Sequence, residues 1–196
     1  MTPLALEDIS DLQQYELERP EFRQRVIALK RRRRVGLGPL LTLVFENRDT
    51  VRFQIQEMAR IERIARPEKV AQELEVYNEL LPGAGEVAAT LFIEVTDPEK
   101  VQPTLDRFIG LDEPGKLVLR IGHDAAAARF APGQSREDRI SAVHYVRFPI
   151  GESGRRGLAE KRPAVLEVDH AGYEAKTVLS PETVGELLGD LSTHHP

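Results

Sequence analysis

Cysteine is absent from all 196 residues. That one absence removes disulfides, thiolate zinc sites, iron–sulfur ligation and cysteine nucleophiles together. Redox chemistry, if the protein takes part in it, does not run through its own sulfur. Any metal would rest on oxygen and imidazole ligands, which restricts the choice to ions of the Fe, Mn, Mg or Zn kind held by Glu, Asp and His. Also missing is any apolar run near the ~20 residues that a membrane helix needs. The N-terminus shows no basic region leading into an apolar segment, so no secretory signal is expected. On these grounds the simplest compartment is the cytoplasm. Internal repeats and low-complexity tracts are lacking too.

What is present fits a folded chain. With 41% hydrophobic and 30% charged residues the composition is that of a globular protein and not a disordered one. The length suits one well-filled core, and no linker interrupts it. Residues 1–196 are therefore read as a single domain, with a disordered tail from about 192 to 196 whose His194 and His195 are not read as ligands. The net charge of −5 gives no overall basic footprint. Inside it stands a run of cations, Lys30-Arg31-Arg32-Arg33-Arg34. A solvated helix end, where cations complement the negative pole of the dipole, explains the run better than a nucleic-acid contact. No aromatic residues interleave it and the chain as a whole is acidic.

Leu6, Ile9, Leu12, Tyr15 and Leu17 give residues 6–18 the spacing of a short amphipathic helix. Arg19-Pro20 is expected to break it, because the residue before proline avoids the α region. Pro20 then opens a second helix with Phe22, Val26 and Leu29 on one stripe, ended by Gly36, Gly38 and Pro39. The VGLGP tract lacks the full phosphate-loop pattern. Residues 40–45 are a strand candidate. A helix from Pro67 carries Val70, Leu74, Tyr77 and Leu81 and closes at Pro82-Gly83. Residues 86–95 alternate as a strand, and 97–109 form a helix kinked near Pro103.

Beyond that point sheet dominates. Strands are expected at 117–121 and 127–131 around a small-residue turn at 122–126, and at 141–150. Residues 151–162 read as a mobile loop. A hairpin joins 164–168 to 173–179, and Ser180-Pro181 begins a last helix. Helices concentrate early and strands late, so the fold class is α+β, with a helical N-terminal half packed on a mainly antiparallel sheet.

The stretch from Leu43 to Ile64, LVFENRDTVRFQIQEMARIERI, holds the best functional candidates. Val51, Phe53 and Ile55 alternate as in a strand, yet no Gly or Pro interrupts Thr50 to Ala65, and Met58, Ile61 and Ile64 follow helical spacing. Length favours one helix, with Asp49 or Thr50 as its N-cap. At 100° per residue, Val51, Phe53, Ile55, Met58, Ile61 and Ile64 share the inward arc with Gln54 and Glu57. Arg52, Gln56, Arg60 and Arg63 face out. A carboxylate on the inward face must be paired, protonated or metal-bound.

Three chemical readings use these residues. Glu46, Asn47, Arg48 and Gln54 form a ligand-binding group, with Asn47 and Arg48 donating to a small anion near a helix N-terminus. Glu57 and His144 form a catalytic acid/base pair. Glu46, Glu57 and His144 form a metal site for Fe, Mn or Zn. Against the last stands the lack of any Glu-x-x-His or His-x-x-x-His spacing. His144 lies on a strand with apolar residues on both faces. A core histidine bonded to a carboxylate or carbonyl is the plainer reading, ahead of a functional one. His123 and His170 fall in predicted turns.

The segments FENRDTVRFQIQEM, RPEFRQRVIALKRRRRVGLGP and SAVHYVRF resemble a bacterial family of uncharacterised proteins, domain of unknown function thirty-five-oh-one, over nearly the whole chain. That resemblance implies no settled activity or cofactor. It does imply a genomic setting beside rubrerythrin, a non-haem di-iron peroxide-reducing protein, and beside a cysteine-rich iron–sulfur oxidoreductase. The first expectation is thus a cytoplasmic accessory or small-ligand-binding protein near peroxide metabolism, with rubrerythrin or that oxidoreductase as partner. An enzyme acting on a small anionic substrate and a metal-binding protein follow. A docking module built on residues 30–34 ranks last.

Overall fold

The computed structural model describes residues 1–136 and 138–192. The predicted tail, from residue 193 on, and Glu137 of the predicted loop lie outside the described residues.

Ahead of the first long helix, Leu6–Asp8 make a single 3-10 turn. Asp11 then caps α1, Leu12–Arg33, through Oδ1, which accepts from the Gln13 and Gln14 amides at 2.9 Å. The helix runs for 22 residues straight through Pro20, where a break was expected. Pro20 sits on the exposed side, so the carbonyl that loses its donor can turn to water. Tyr15, Phe22 and Val26 hold the opposite side in contact with Phe53. Packing over three turns outweighs one missing hydrogen bond.

The basic run is the last turn of α1. It is not simply solvated: Arg33 is 1% exposed. Its guanidinium donates to Asp190 at 2.7 and 2.8 Å and to Glu186 at 3.0 Å. Arg33, together with Arg32 on Glu186, ties α1 to the last helix, α6 (Pro181–Ser192).

Two antiparallel sheets follow. The first takes β1 (Arg34–Leu37), β2 (Leu41–Glu46), β3 (Glu86–Ile93), β6 (Arg129–Phe130) and β9 (Val143–Pro149) in the order β1-β2-β3-β9-β6. The second takes β4 (Leu117–Ile121), β5 (Asp124–Ala127), β10 (Ala164–His170) and β11 (Tyr173–Val178) in the order β11-β10-β4-β5. A short ribbon, β7 (Ser135–Arg136) with β8 (Arg139–Ile140), stands apart. Part of VGLGP is therefore strand and not loop. Its tight turn is fixed by Tyr173, whose phenol donates to Leu37 O and accepts from Leu40 N. A Cβ on Gly38 would lie 2.6 Å from that oxygen, and its φ is +69°; only glycine fits there.

The main core lies between the sheets, where Leu43, Phe45, Leu91 and Phe148 meet Leu117, Leu119, Leu166 and Val168. The chain changes sheets at Ala128. The expected strand at 127–131 is split there, and the expected turn at 122–126 largely belongs to β5. After the short helix α4 (Val101–Asp106), residues 151–159 of the expected loop form α5 (Gly151–Ala159). Two of its glycines face inward: a Cβ on Gly154 would meet Ile150 at 2.7 Å, and one on Gly157 would meet Ile121 at 2.8 Å. The small residues that disguised the helix let it approach the sheet.

On the outer face of the first sheet lie α1, α2 (Arg48–Ile61) and α3 (Pro67–Asn78). The segment 50–56 is helical, and Asn47 caps it in a reciprocal pair with Thr50. The inward arc differs from the expected one. Gln56 is 0% exposed, while Ile61 is 68% exposed. α2 is flanked by α1 on one side and by the N-terminal segment on another, so no single stripe describes it. Gln56 faces that segment, accepting from Ser10 N at 2.8 Å and donating to Ser10 O at 3.1 Å.

Candidate functional site

Strand alternation decides which side chains reach the helical face of the first sheet. In β2, Leu41, Leu43 and Phe45 enter the main core, so Glu46 points the other way. By the same parity Ala88 and Thr90 of β3, and Tyr145 and Arg147 of β9, share Glu46's face. Register then aligns them: Glu46 pairs with Ala88, Ala88 with Arg147, and Arg147 with Arg129. One rung of the sheet thus reads acid, alanine, arginine, arginine.

The small side chain at Ala88 leaves a trough. α3 and the turn after it contribute Tyr77, Leu80 and Glu79, and the segment after β6 contributes Pro132 and Gln134, enclosing a cleft of about 610 Å³. Phe130 and Tyr145 add aromatic wall, and Glu73 stands among the lining residues.

Glu46 is 4% exposed. Thr90 Oγ1 donates to its Oε1 at 2.6 Å, and Thr50 Oγ1 and Gln54 Nε2 donate to its Oε2 at 2.5 and 3.2 Å. Among the described residues no cation lies within ion-pair distance of it; hydroxyls, an amide and the N-terminal turn of α2 meet its charge instead. Across the trough, Arg147 donates to Glu86 at 3.4 Å and to the Glu79 carbonyl. Arg129 reaches the same Glu86 at 3.6 Å.

Of the residues expected from sequence, the structure brings Glu46 and Gln54 together. Asn47 is the cap of α2 and also donates to Asp190 at 3.4 Å. Arg48 pairs with Asp8 at 2.5 Å. Both serve the fold around the N-terminal segment and do not line the cleft.

Glu57 lies between α2 and α1. It accepts from Tyr15 at 2.8 Å and from Arg19 at 2.7 and 3.0 Å, and Arg60 stands 3.5 Å away. The Arg19 hydrogen bonds, helped by that of Tyr15, hold its pKa down to about 2 against the opposing effect of burial. Burial and the same carboxylate push the Tyr15 phenol well above its ordinary range. A carboxylate so firmly ionised is a weak proton acceptor near neutrality.

His144 is 0% exposed on the core side of β9. Its Nε2 lies 2.8 Å from Ser141 O and its ring meets Phe130 edge-on. Burial lowers its pKa. Glu46 and His144 therefore face opposite sides of one sheet, and Glu57 belongs to a third setting. Among the described residues no three His, Asp or Glu side chains are grouped so as to hold a metal ion. His170, expected in a turn, ends β10 and stacks on Phe108 at 6.3 Å.

Sequence reasoning did not single out Ala88, Arg129 or Arg147. Alternation puts Tyr145 and Arg147 on one face of β9, but pairing with Glu46 depends on sheet order, which has no local signal.

A family model described as "Protein of unknown function (DUF3501)" matches residues 3–191. A crystal structure of a novel protein of unknown function from Burkholderia pseudomallei K96243 is 31% identical. The match covers 97% of this chain and 100% of that one, with a TM-score of 0.90. No curated protein matches the chain.

Proposed function

The chain belongs to the DUF3501 family, and we propose that it is a small-ligand-binding protein whose ligand lies in the Ala88 trough against Glu46. One observation carries this reading: a carboxylate that is almost fully buried and, among the described residues, bonded only to neutral donors lines an open cleft. Burying a charge without a cation is costly, and a binding site accounts for that cost where a purely structural acid would not. The cleft volume falls within the range of roughly 300–1,000 Å³ usual for small-molecule sites. Its apolar and aromatic wall, with a few convergent polar groups, has the matching character.

The test is a thermal-shift screen of small metabolites on the wild type and on Ala88→Leu, whose side chain would fill the trough. A ligand raises the wild-type melting temperature by mass action and leaves the variant unmoved. A screen without hits, or hits that stabilise the variant equally, overturns the reading.

The setting beside rubrerythrin and an iron–sulfur oxidoreductase, and with it a cytoplasmic accessory role, belongs to the same proposal. It draws only on the family's implied neighbourhood. Retention of either purified partner on the immobilised chain supports it, and retention of neither removes it.

A further inference from the structure

We infer that the trough is built for a short zwitterion, an ω-amino acid whose ammonium meets Glu46 and whose carboxylate meets Arg147 and Arg129. This rests on the ligand-binding reading above and assigns the class of ligand.

The rung sets both sign and span. Neighbouring strands lie about 4.8 Å apart, so Glu46 and Arg147, two strands apart, stand about 10 Å apart at Cα. Both side chains rise from the same face and lean apart along it, Glu46 toward Thr90 and Arg147 toward Glu86. Allowing about 2.8 Å for a charge-assisted hydrogen bond at each end leaves at least roughly 4–5 Å between the ligand's charged atoms. About three or four methylenes cover that distance, the longer chain allowing for the lean; an α-amino acid is too short.

Each end has capacity to spare. Glu46 Oε1 receives one donor, Thr90, and a carboxylate oxygen can accept more. Arg147 uses two of its donors, on Glu86 and the Glu79 carbonyl, and a guanidinium has five. Arg129 is mostly exposed and shares that single carboxylate, Glu86, with Arg147. Among the described residues Glu86 is thus the one carboxylate paired with these two cations, and Glu46 at the other end has no cation paired with it.

The remaining walls fit the same ligand. Tyr77, Leu80, Phe130 and Tyr145 suit a methylene chain. Glu73 and Glu79 repel a dicarboxylate, and the two arginines repel a diamine.

The test is calorimetric titration of the full chain with 4-aminobutanoate and 5-aminopentanoate. Glycine, N-acetyl-4-aminobutanoate, 4-aminobutanoate methyl ester and 1,4-diaminobutane serve as comparisons. The ω-amino acids are expected to bind about tenfold or more tightly than either capped analogue. Arg129→Ala, an exposed change that spares the core, should weaken the parent compounds and not the methyl ester. Glu46→Gln should weaken the parents and not the N-acetyl compound.

A diamine that binds at least as tightly, unaffected by Arg129→Ala, overturns the zwitterion and leaves the ligand-binding reading standing. So does a silent series when another small molecule stabilises the wild type and not Ala88→Leu. Equal binding of the series to the wild type and to Ala88→Leu overturns both.

Discussion

Glu46 and Arg147 stand on one rung of the five-stranded sheet and on the same face, with Ala88 between them. Opposite charges across so small a residue would ordinarily close on one another. Here each is held in place by its own partners, Glu46 by Thr50, Thr90 and Gln54, Arg147 by Glu86 and the Glu79 carbonyl. The space over Ala88 stays open.

The acid end of that rung is also structural. Glu46→Ala strips the acceptor from two hydroxyls and one amide and should destabilise the fold by about 1–3 kcal/mol, the range for leaving buried polar groups unsatisfied. Glu46→Gln keeps an acceptor oxygen and should cost less. Urea unfolding of the two variants provides the comparison, and equal losses would contradict the network described.

Arg33 makes a second buried polar network. Asp190→Ala leaves a guanidinium that is 1% exposed without its two-bonded partner and should cost about 3–5 kcal/mol. Arg33→Met combined with Asp190→Leu removes both charges and should recover much of that loss. A double-mutant cycle by chemical denaturation reads the coupling; additive losses would place the attachment of α6 elsewhere.

Glu57 predicts how the fold responds to acid. Its folded pKa of about 2 lies below its ordinary 4.5. The unfolded chain therefore takes up the proton first, and the stabilisation is complete above about 4.5 and lost as the pH falls toward 2. With screening at a side chain 20% exposed, the amount is on the order of 1–3 kcal/mol. Unfolding free energies measured down this range should fall in the wild type, and Glu57→Gln should flatten the slope. An unchanged slope would mean that Arg19 and Tyr15 do not hold the ionised form.

Gly157 should resist a change that helix propensity favours. Alanine is better than glycine in a helix by about 1 kcal/mol, yet the added Cβ would meet Ile121 at 2.8 Å. Overpacking of that kind costs about 1–3 kcal/mol, so Gly157→Ala should lower the melting temperature. A rise would show that α5 can move away from the sheet without loss.

The same glycines explain where the sequence misled. α5 was unreadable because close approach to Ile121 and Ile150 selects small residues, which by composition look like loop. Pro20 suggested a boundary, but on an exposed side its missing donor matters little. Segment 50–56 was legible: an uninterrupted length decided for helix over strand against the period-two pattern. The α+β class and most strands followed from patterning.

The site was legible only at one end. Glu46 and Gln54 could be named because they flank a polar turn within one stretch. Arg147 and Ala88 join them through pairing of β2, β3 and β9, and β9 comes from some fifty residues further along the chain. Side-chain alternation gives the face of a strand, but neighbours and register are tertiary facts.

Binding in the trough is tested most directly by a methyl NMR titration of the chain, ¹³C-labelled at alanine, with 4-aminobutanoate. The Ala88 methyl should shift saturably, the methyl of Ala125 in the second sheet should stay still, and Glu46→Gln should move the response to higher ligand concentration. An Ala88 methyl that does not move at saturating ligand, or that moves equally in Glu46→Gln, would contradict the account.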